Sequence, residues 1–296
     1  MTFLIIGGSG LVGSHVVAEA KSRGHQVTGT YRNYSVPRLV RLDLSDADAT
    51  RKLMEEVKPD WVVHAAGWTW VDGCENDPAR ALRENCQQPA MLAQLCRQRG
   101  CRFAFFSTSY VFDGAAGPYS EIDQPNPINV YGRSKWEAEQ QVQNILNGEG
   151  LVIRTICVWG REAQQKNFVY QVIKSLNEGR TMRLPADQLG NPTWAGDVAW
   201  WLLELMEQCE KGVWNLAGDQ ANCSRVEWFR AIRDQARTLG LVPAGNHLGY
   251  EAVPTRELGQ PALRALHAGL RVDRVSRRFP RNTRTLADFA KLISWN

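Results

Sequence analysis

The chain has no run near the roughly 20 consecutive apolar residues that a membrane-crossing helix needs, so no membrane partner is expected. It also has little excess charge of either sign. Lysine and arginine number 35 against 31 acids, and the net +4 is too small to point to a nucleic-acid partner. The basic run at Arg271, Arg274, Arg277, Arg278, Arg281 and Arg284 is expected to be a solvated face. Histidines are few: His15, His25, His64, His247 and His267 share no metal-like spacing, so no metal site is expected and none is assigned chemistry. The seven cysteines are odd in number and dispersed, which points to reduced thiols in a cytoplasmic compartment. No internal repeat or low-complexity segment is present.

What is present begins at the N-terminus. The apolar run 3–6 lacks a basic flank and leads straight into glycines, so it reads as a buried strand rather than a signal peptide. Gly7, Gly10 and Gly13 follow at three-residue spacing and open a helix expected to end near Arg23. Such glycines let the backbone turn tightly and bring amide N–H groups to an anion at the positive end of the helix. A dinucleotide pyrophosphate is the expected occupant. Strand 26–31 then ends in Thr30-Tyr31-Arg32-Asn33 with no acid to bind a ribose diol, which favours NADPH over NADH. The alternative is that Arg32 is only an exposed loop arginine.

A second pattern lies downstream. Tyr131 and Lys135 stand four apart, which on a helix places both on one face. A phenol has a pKa of roughly 10. An ammonium beside it favours the phenolate, so the tyrosine can hand a proton to a substrate oxygen. Thr108, upstream at the end of an apolar strand, would hydrogen-bond the same oxygen. By itself Y-x-x-x-K is a common helix-face coincidence; its weight comes from the glycine turn in the same chain.

Strands expected over 3–6, 26–31, 39–43, 61–65, 102–107 and 151–155 alternate with helices over 46–57 and 78–99 and the one carrying Tyr131. Alternation of this kind predicts an α/β fold with a doubly wound parallel sheet. Beyond Trp159 the pattern loosens into helices near 167–177, 195–208 and 224–239 with a strand over 213–216. We expect a nucleotide-binding domain over 1–159, a return segment near 193–216, and a smaller α/β substrate lobe formed by 160–192 and 217–296. Trp68 and Trp70 are expected near the substrate and Trp200 and Trp201 in the core. Asp72 and Glu75 would contact a sugar or cap the next helix.

Gly7-x-x-Gly10-x-x-Gly13, His64-Ala65-Ala66, Ser107-Thr108 and Tyr131…Lys135 together resemble the extended short-chain dehydrogenase/reductase superfamily. The stretches 65–72 with Glu75, 107–112, 129–132, 153–155 and the D-Q-x-G-x-P-T run 187–193 look most like its dTDP-4-dehydrorhamnose reductase family. The resemblance implies a Rossmann fold and a catalytic trio of Thr108, Tyr131 and Lys135. It implies cofactor contacts from Gly7, Ser9, Gly10, Leu11, Val12, Gly13, Arg32, Asp43, Leu44, Ala65, Ala66 and Gly67, with Tyr131 and Lys135, and substrate contacts from Trp68, Val71, Ser109, Tyr110 and Asn191. The implied reaction is NADPH-dependent reduction, with NADH as the alternative cofactor, of a nucleotide-linked 4-keto-6-deoxysugar, in a cytoplasmic protein that pairs as a homodimer. Three positions depart from the family pattern. Ser109 replaces an aspartate, Cys157 replaces an aromatic, and the basic-Pro signature reads Gln260-Pro261. Other functions on the same scaffold are a nucleotide-sugar epimerase or dehydratase, which Ser109 disfavours, and a non-catalytic NADP-binding subunit of the methionine adenosyltransferase β type.

Overall fold

The computed structural model describes residues 1–243, 249–285 and 288. In chain order its first half runs β1 (Thr2–Ile6), α1 (Leu11–Ser22), β2 (Gln26–Tyr31), β3 (Val40–Arg41), α2 (Ala47–Val57), β4 (Trp61–His64), α3 (Val71–Asn76), α4 (Pro78–Leu82), α5 (Gln88–Arg99), β5 (Arg102–Phe106), α6 (Val130–Ile145) and β6 (Leu151–Arg154). The second half runs β7 (Val158–Trp159), α7 (Phe168–Asn177), β8 (Met182–Pro185), β9 (Leu189–Gly190), β10 (Thr193–Trp194), α8 (Ala195–Glu207), β11 (Gly212–Asn215), β12 (Cys223–Ser224), α9 (Arg225–Thr238), β13 (Tyr250–Val253) and α10 (Asp273–Arg278).

Seven strands form one sheet in the order β11-β6-β5-β4-β1-β2-β3, and every pairing in it is parallel. The chain winds outward from β1 in one direction and then from β4 in the other, which leaves a switch point between β1 and β4. β1 shows why this sheet is buried on both sides. Alternate side chains of a strand point to opposite faces. Phe3 and Ile5 pack with Val16 of α1 and with Trp201 and Leu202 of α8. Leu4 and Ile6 pack on the other face with Leu92 of α5 and Ala138 of α6. A separate apolar cluster built on Trp159, Val172, Leu184, Trp228, Phe229 and Ile232 holds α7, α9 and β8 together.

One expected helix is broken. The segment 78–99 divides into α4 and α5, with a π-helical turn over Arg83–Gln87 between them. Pro89 lacks the N–H that an unbroken helix would direct at the Asn85 carbonyl, and the wider turn absorbs the defect. The basic run is largely the solvated face expected, with Arg271, Arg274, Arg277, Arg278 and Arg284 exposed and Arg281 half-buried. Arg271, Arg278 and Arg281 pair with Asp273, Glu210 and Asp197 at 3.0, 2.9 and 2.8 Å, and Arg274 lies 3.7 Å over the Trp214 ring. No helix among the described residues is long and apolar enough to cross a membrane.

Candidate active site

A cleft of about 840 Å³ opens along the C-terminal edge of the sheet at the switch point. Its floor is the β1–α1 turn. Gly7 has φ +84°, and a Cβ there would lie 2.8 Å from the Ala66 amide nitrogen. A Cβ on Gly13 would come within 2.2 Å of the Gly7 carbonyl oxygen. Only glycine allows this approach, and Gly10 closes the turn by donating to the Gly7 carbonyl at 3.0 Å. Gly10 precedes α1 and no side chain caps the helix's first amides, which leaves them free for an anion where Gly10, Leu11 and Val12 line the cleft. The cradle therefore fits the pyrophosphate of a dinucleotide.

Thr108, Tyr131 and Lys135 all line this cleft. α6 carries the last two, and its start is fixed by Asn129, whose side chain accepts from the Gly132 amide at 2.8 Å. Gly132 is required there, because a Cβ would meet the Tyr110 carbonyl oxygen at 2.1 Å. Burial raises the Tyr131 phenol above its ordinary value, and a hydrogen bond with the Thr108 hydroxyl pulls in the opposite direction. Lys135 is buried, and that burial lowers its pKa to about 7 despite the opposing field of Glu139. Its ammonium donates to the Phe106 carbonyl at 2.5 Å and lies 4.0 Å from the centre of the Phe105 ring. Beneath it His64 is fully buried, and burial followed by the Lys135 charge takes its pKa down to about 3, leaving it neutral.

The other residues expected at the site divide into two groups. Ser9, Leu11, Val12, Arg32, Leu44, Ala65, Ala66, Gly67, Trp68, Val71 and Tyr110 line the cleft together with Gly7 and Gly10. Four do not. Gly13 serves the turn from behind, and Asp43 is exposed with its carboxylate accepting from the Ser45 amide at 3.0 Å. Ser109 is buried, and its hydroxyl meets no protein partner among the described residues. Asn191 spends its amide on backbone, donating to Gly218 and Leu270 at 2.5 and 3.1 Å and accepting from Leu270 at 2.8 Å. Neither Asp72 nor Glu75 caps the next helix, α4, which Asp77 caps. Asp72 holds Arg264 at 2.6 Å, and Glu75 instead serves the first amide of α6, accepting from Val130 at 3.0 Å.

Two cleft residues, Glu84 and Arg225, were not singled out from the sequence, and a third, Gln188, belongs to the expected 187–193 run. Glu84 corrects the expectation that no acid stands near Arg32. β2 ends without an acid, but Glu84, from the turn after α4, meets Arg32 at 3.2 Å. Nothing in a local motif marks it; only the fold brings the two together. Arg225 is the second, half-buried at the start of α9, with the Phe168 and Trp228 rings 5.3 and 5.0 Å from its guanidinium. Its amide donates to the Gln188 carbonyl at 3.3 Å, so the D-Q-x-G-x-P-T stretch seats it. Gln188 is the third, lining the same wall with Leu189, Gly190 and Pro192.

A glycine turn at the switch point of a doubly wound parallel sheet, facing a Y-x-x-x-K helix, defines a dinucleotide-binding protein of the short-chain dehydrogenase/reductase class. The chain belongs to the family described as RmlD substrate binding domain, whose model matches residues 1–292. It is 33% identical over 276 residues to a dTDP-4-dehydrorhamnose reductase of Streptomyces griseus, covering 90% of this chain and 84% of that one. A probable low-salt glycan biosynthesis reductase of Haloferax volcanii is 36% identical over 229 residues, covering 75% and 76%. Among solved structures, a hypothetical dTDP-4-dehydrorhamnose reductase from Sulfolobus tokodaii superposes with a TM-score of 0.84 at 29% identity, covering 97% of this chain and 98% of that one.

Proposed function

We propose that this protein is an NADPH-dependent reductase of a nucleotide-linked 4-keto-6-deoxysugar. The observation that carries the reading is the meeting of Thr108, Tyr131 and Lys135 in the cleft that the glycine turn opens. The name of the Streptomyces griseus relative supports the substrate class. Gly7, Ser9, Gly10, Leu11 and Val12 would hold the cofactor pyrophosphate, Arg32 the 2′-phosphate, and Ala65, Ala66 and Gly67 the cofactor's path across the sheet edge. Bound there, NADPH supplies the hydride. The chain's own groups do the rest. Thr108 donates to the substrate carbonyl oxygen and orients it, Tyr131 delivers the proton to that oxygen, and Lys135, held at the Phe106 carbonyl, supplies positive charge nearby when protonated. Residues 160–192 and 217–296 act as the substrate lobe, a reading supported by Gln188, Arg225 and Trp228 facing the cleft, while α8 together with Val275 and Phe279 of the last segment packs against the nucleotide-binding side. Seven unpaired thiols are in keeping with a reducing cytoplasm.

Arg225 is the group we assign to the substrate's diphosphate. Its planar fork suits a phosphate, and no carboxylate among the described residues pairs with it. Arg225→Gln is expected to raise KM for the nucleotide sugar about tenfold or more, the value of one charge-assisted contact, with NADPH affinity unchanged. Steady-state kinetics with the sugar varied decides it; an unchanged KM removes Arg225 from the assignment.

The whole reading is tested by incubating the protein and NADPH with dTDP-, UDP- and GDP-linked 4-keto sugars. Oxidation of NADPH with one of them is expected. Tight NADPH binding with no reduction across the panel would replace this reading with that of a regulatory subunit.

A further inference from the structure

We infer that Glu84 sets the cofactor preference, by competing with the 2′-phosphate for Arg32 and by accepting a hydrogen bond from the 2′-hydroxyl when that phosphate is absent. This rests on the reading that the cleft takes a dinucleotide. Glu84 lies in the π-helical turn after α4, is 8% exposed, and lines the cleft. One carboxylate oxygen faces Arg32 at 3.2 Å, and the other accepts from Arg80 at 2.9 Å. Arg80 in turn lies 4.1 Å over the Trp68 ring, so the carboxylate is anchored on its far side by a cation that is itself packed in place. Glu84 is thus fixed where it meets Arg32, rather than being a solvated side chain that swings away.

The charges at this end of the cleft decide the consequence. Arg32 is the cation that follows β2 in the cleft lining, and its field also reaches the exposed Asp43, whose carboxyl is held low chiefly by the Ser45 amide. A 2′-phosphate arriving at Arg32 gains a guanidinium but is repelled by the anchored carboxylate on the other side of it. A 2′-hydroxyl meets no such penalty, because a carboxylate accepts from a hydroxyl. The acid that reads the ribose in this chain therefore comes from the helix following β4 rather than from the tip of β2.

The test is direct titration of NADPH and NADH into the full-length protein by fluorescence quenching. Glu84→Gln keeps the side chain's shape and removes its charge. It is expected to tighten NADPH about tenfold while NADH stays level or weakens. Arg32→Ala should then cost more NADPH affinity in the Glu84→Gln background than in the wild type, because the free arginine has more to lose. NADH serves as the internal control, since damage to the fold would weaken both cofactors together. An unchanged NADPH-to-NADH ratio in Glu84→Gln, or equal effects of Arg32→Ala in both backgrounds, overturns the inference. Failure of the wild type to bind either cofactor would instead overturn the dinucleotide reading on which it rests.

Discussion

Tyr131→Phe is expected to lower turnover of a keto sugar by about 10²–10⁴ and to leave the fold and NADPH affinity nearly unchanged. The substitution deletes one hydroxyl and keeps the ring. That ring is 8% exposed and packs edge-on against Tyr110 with centroids 5.8 Å apart, a contact that phenylalanine reproduces. The helix start beneath it depends on Asn129 and Gly132, neither of which is touched. Burial raises the phenol's pKa, so the proton is in place throughout the neutral range and needs only a substrate oxygen to receive it. Single-turnover kinetics with saturating NADPH would measure the chemical step alone. Full activity in the phenylalanine variant would place the proton donor elsewhere.

Glu139→Ala is expected to destabilise the protein by about 3–5 kcal/mol, a large share of the roughly 5–15 kcal/mol that holds a domain folded. Glu139 and Arg154 face each other with side chains 2% exposed, and the guanidinium meets the carboxylate at 2.7, 3.0 and 3.2 Å. Ser107 donates to the same carboxylate at 2.5 Å. The pair ties α6, one turn beyond Lys135, to β6 and to the segment leading into Thr108. Removing the acid strands a buried guanidinium against the Phe112 ring, 5.0 Å away. Urea unfolding of Glu139→Ala and of the double variant Glu139→Leu with Arg154→Met separates the causes. The double variant should recover most of the loss, because it leaves no unpaired charge. A loss under about 1 kcal/mol in the single variant would mean that water reaches the pair.

How much of this was legible beforehand differed by region, for physical reasons. β1, the glycine turn and α1 follow from a local rule: apolar residues buried on both faces, then glycines where a side chain would strike Ala66 or Gly7. α9 was bounded by its own chemistry, since Ser224 and Glu227 form a reciprocal cap. The two-residue strands β7, β9, β10 and β12 carry no period and were invisible. The break in the helix over 78–99 has a local mark in Pro89, while helix-forming residues continue on both sides of it. The site was legible where residues share a helix, as Tyr131 and Lys135 do. It was not where the partner is distant in sequence: Arg32 with Glu84, Arg264 with Asp72, and Arg225 with Phe168 meet only after folding. Ser109 and Asn191, expected at the substrate by resemblance alone, are buried outside the cleft lining, Asn191 with its amide bound to backbone and Ser109 with a hydroxyl that meets no partner among the described residues.

The most direct measurement follows the hydrogen itself. NADPH deuterated at the transferable nicotinamide position is incubated with the protein and a dTDP-linked 4-keto-6-deoxysugar, and the product is read by NMR. The account predicts one deuterium at C4 of the sugar for each NADPH oxidised. A sugar recovered without deuterium at C4, from a protein that binds both ligands, would contradict it.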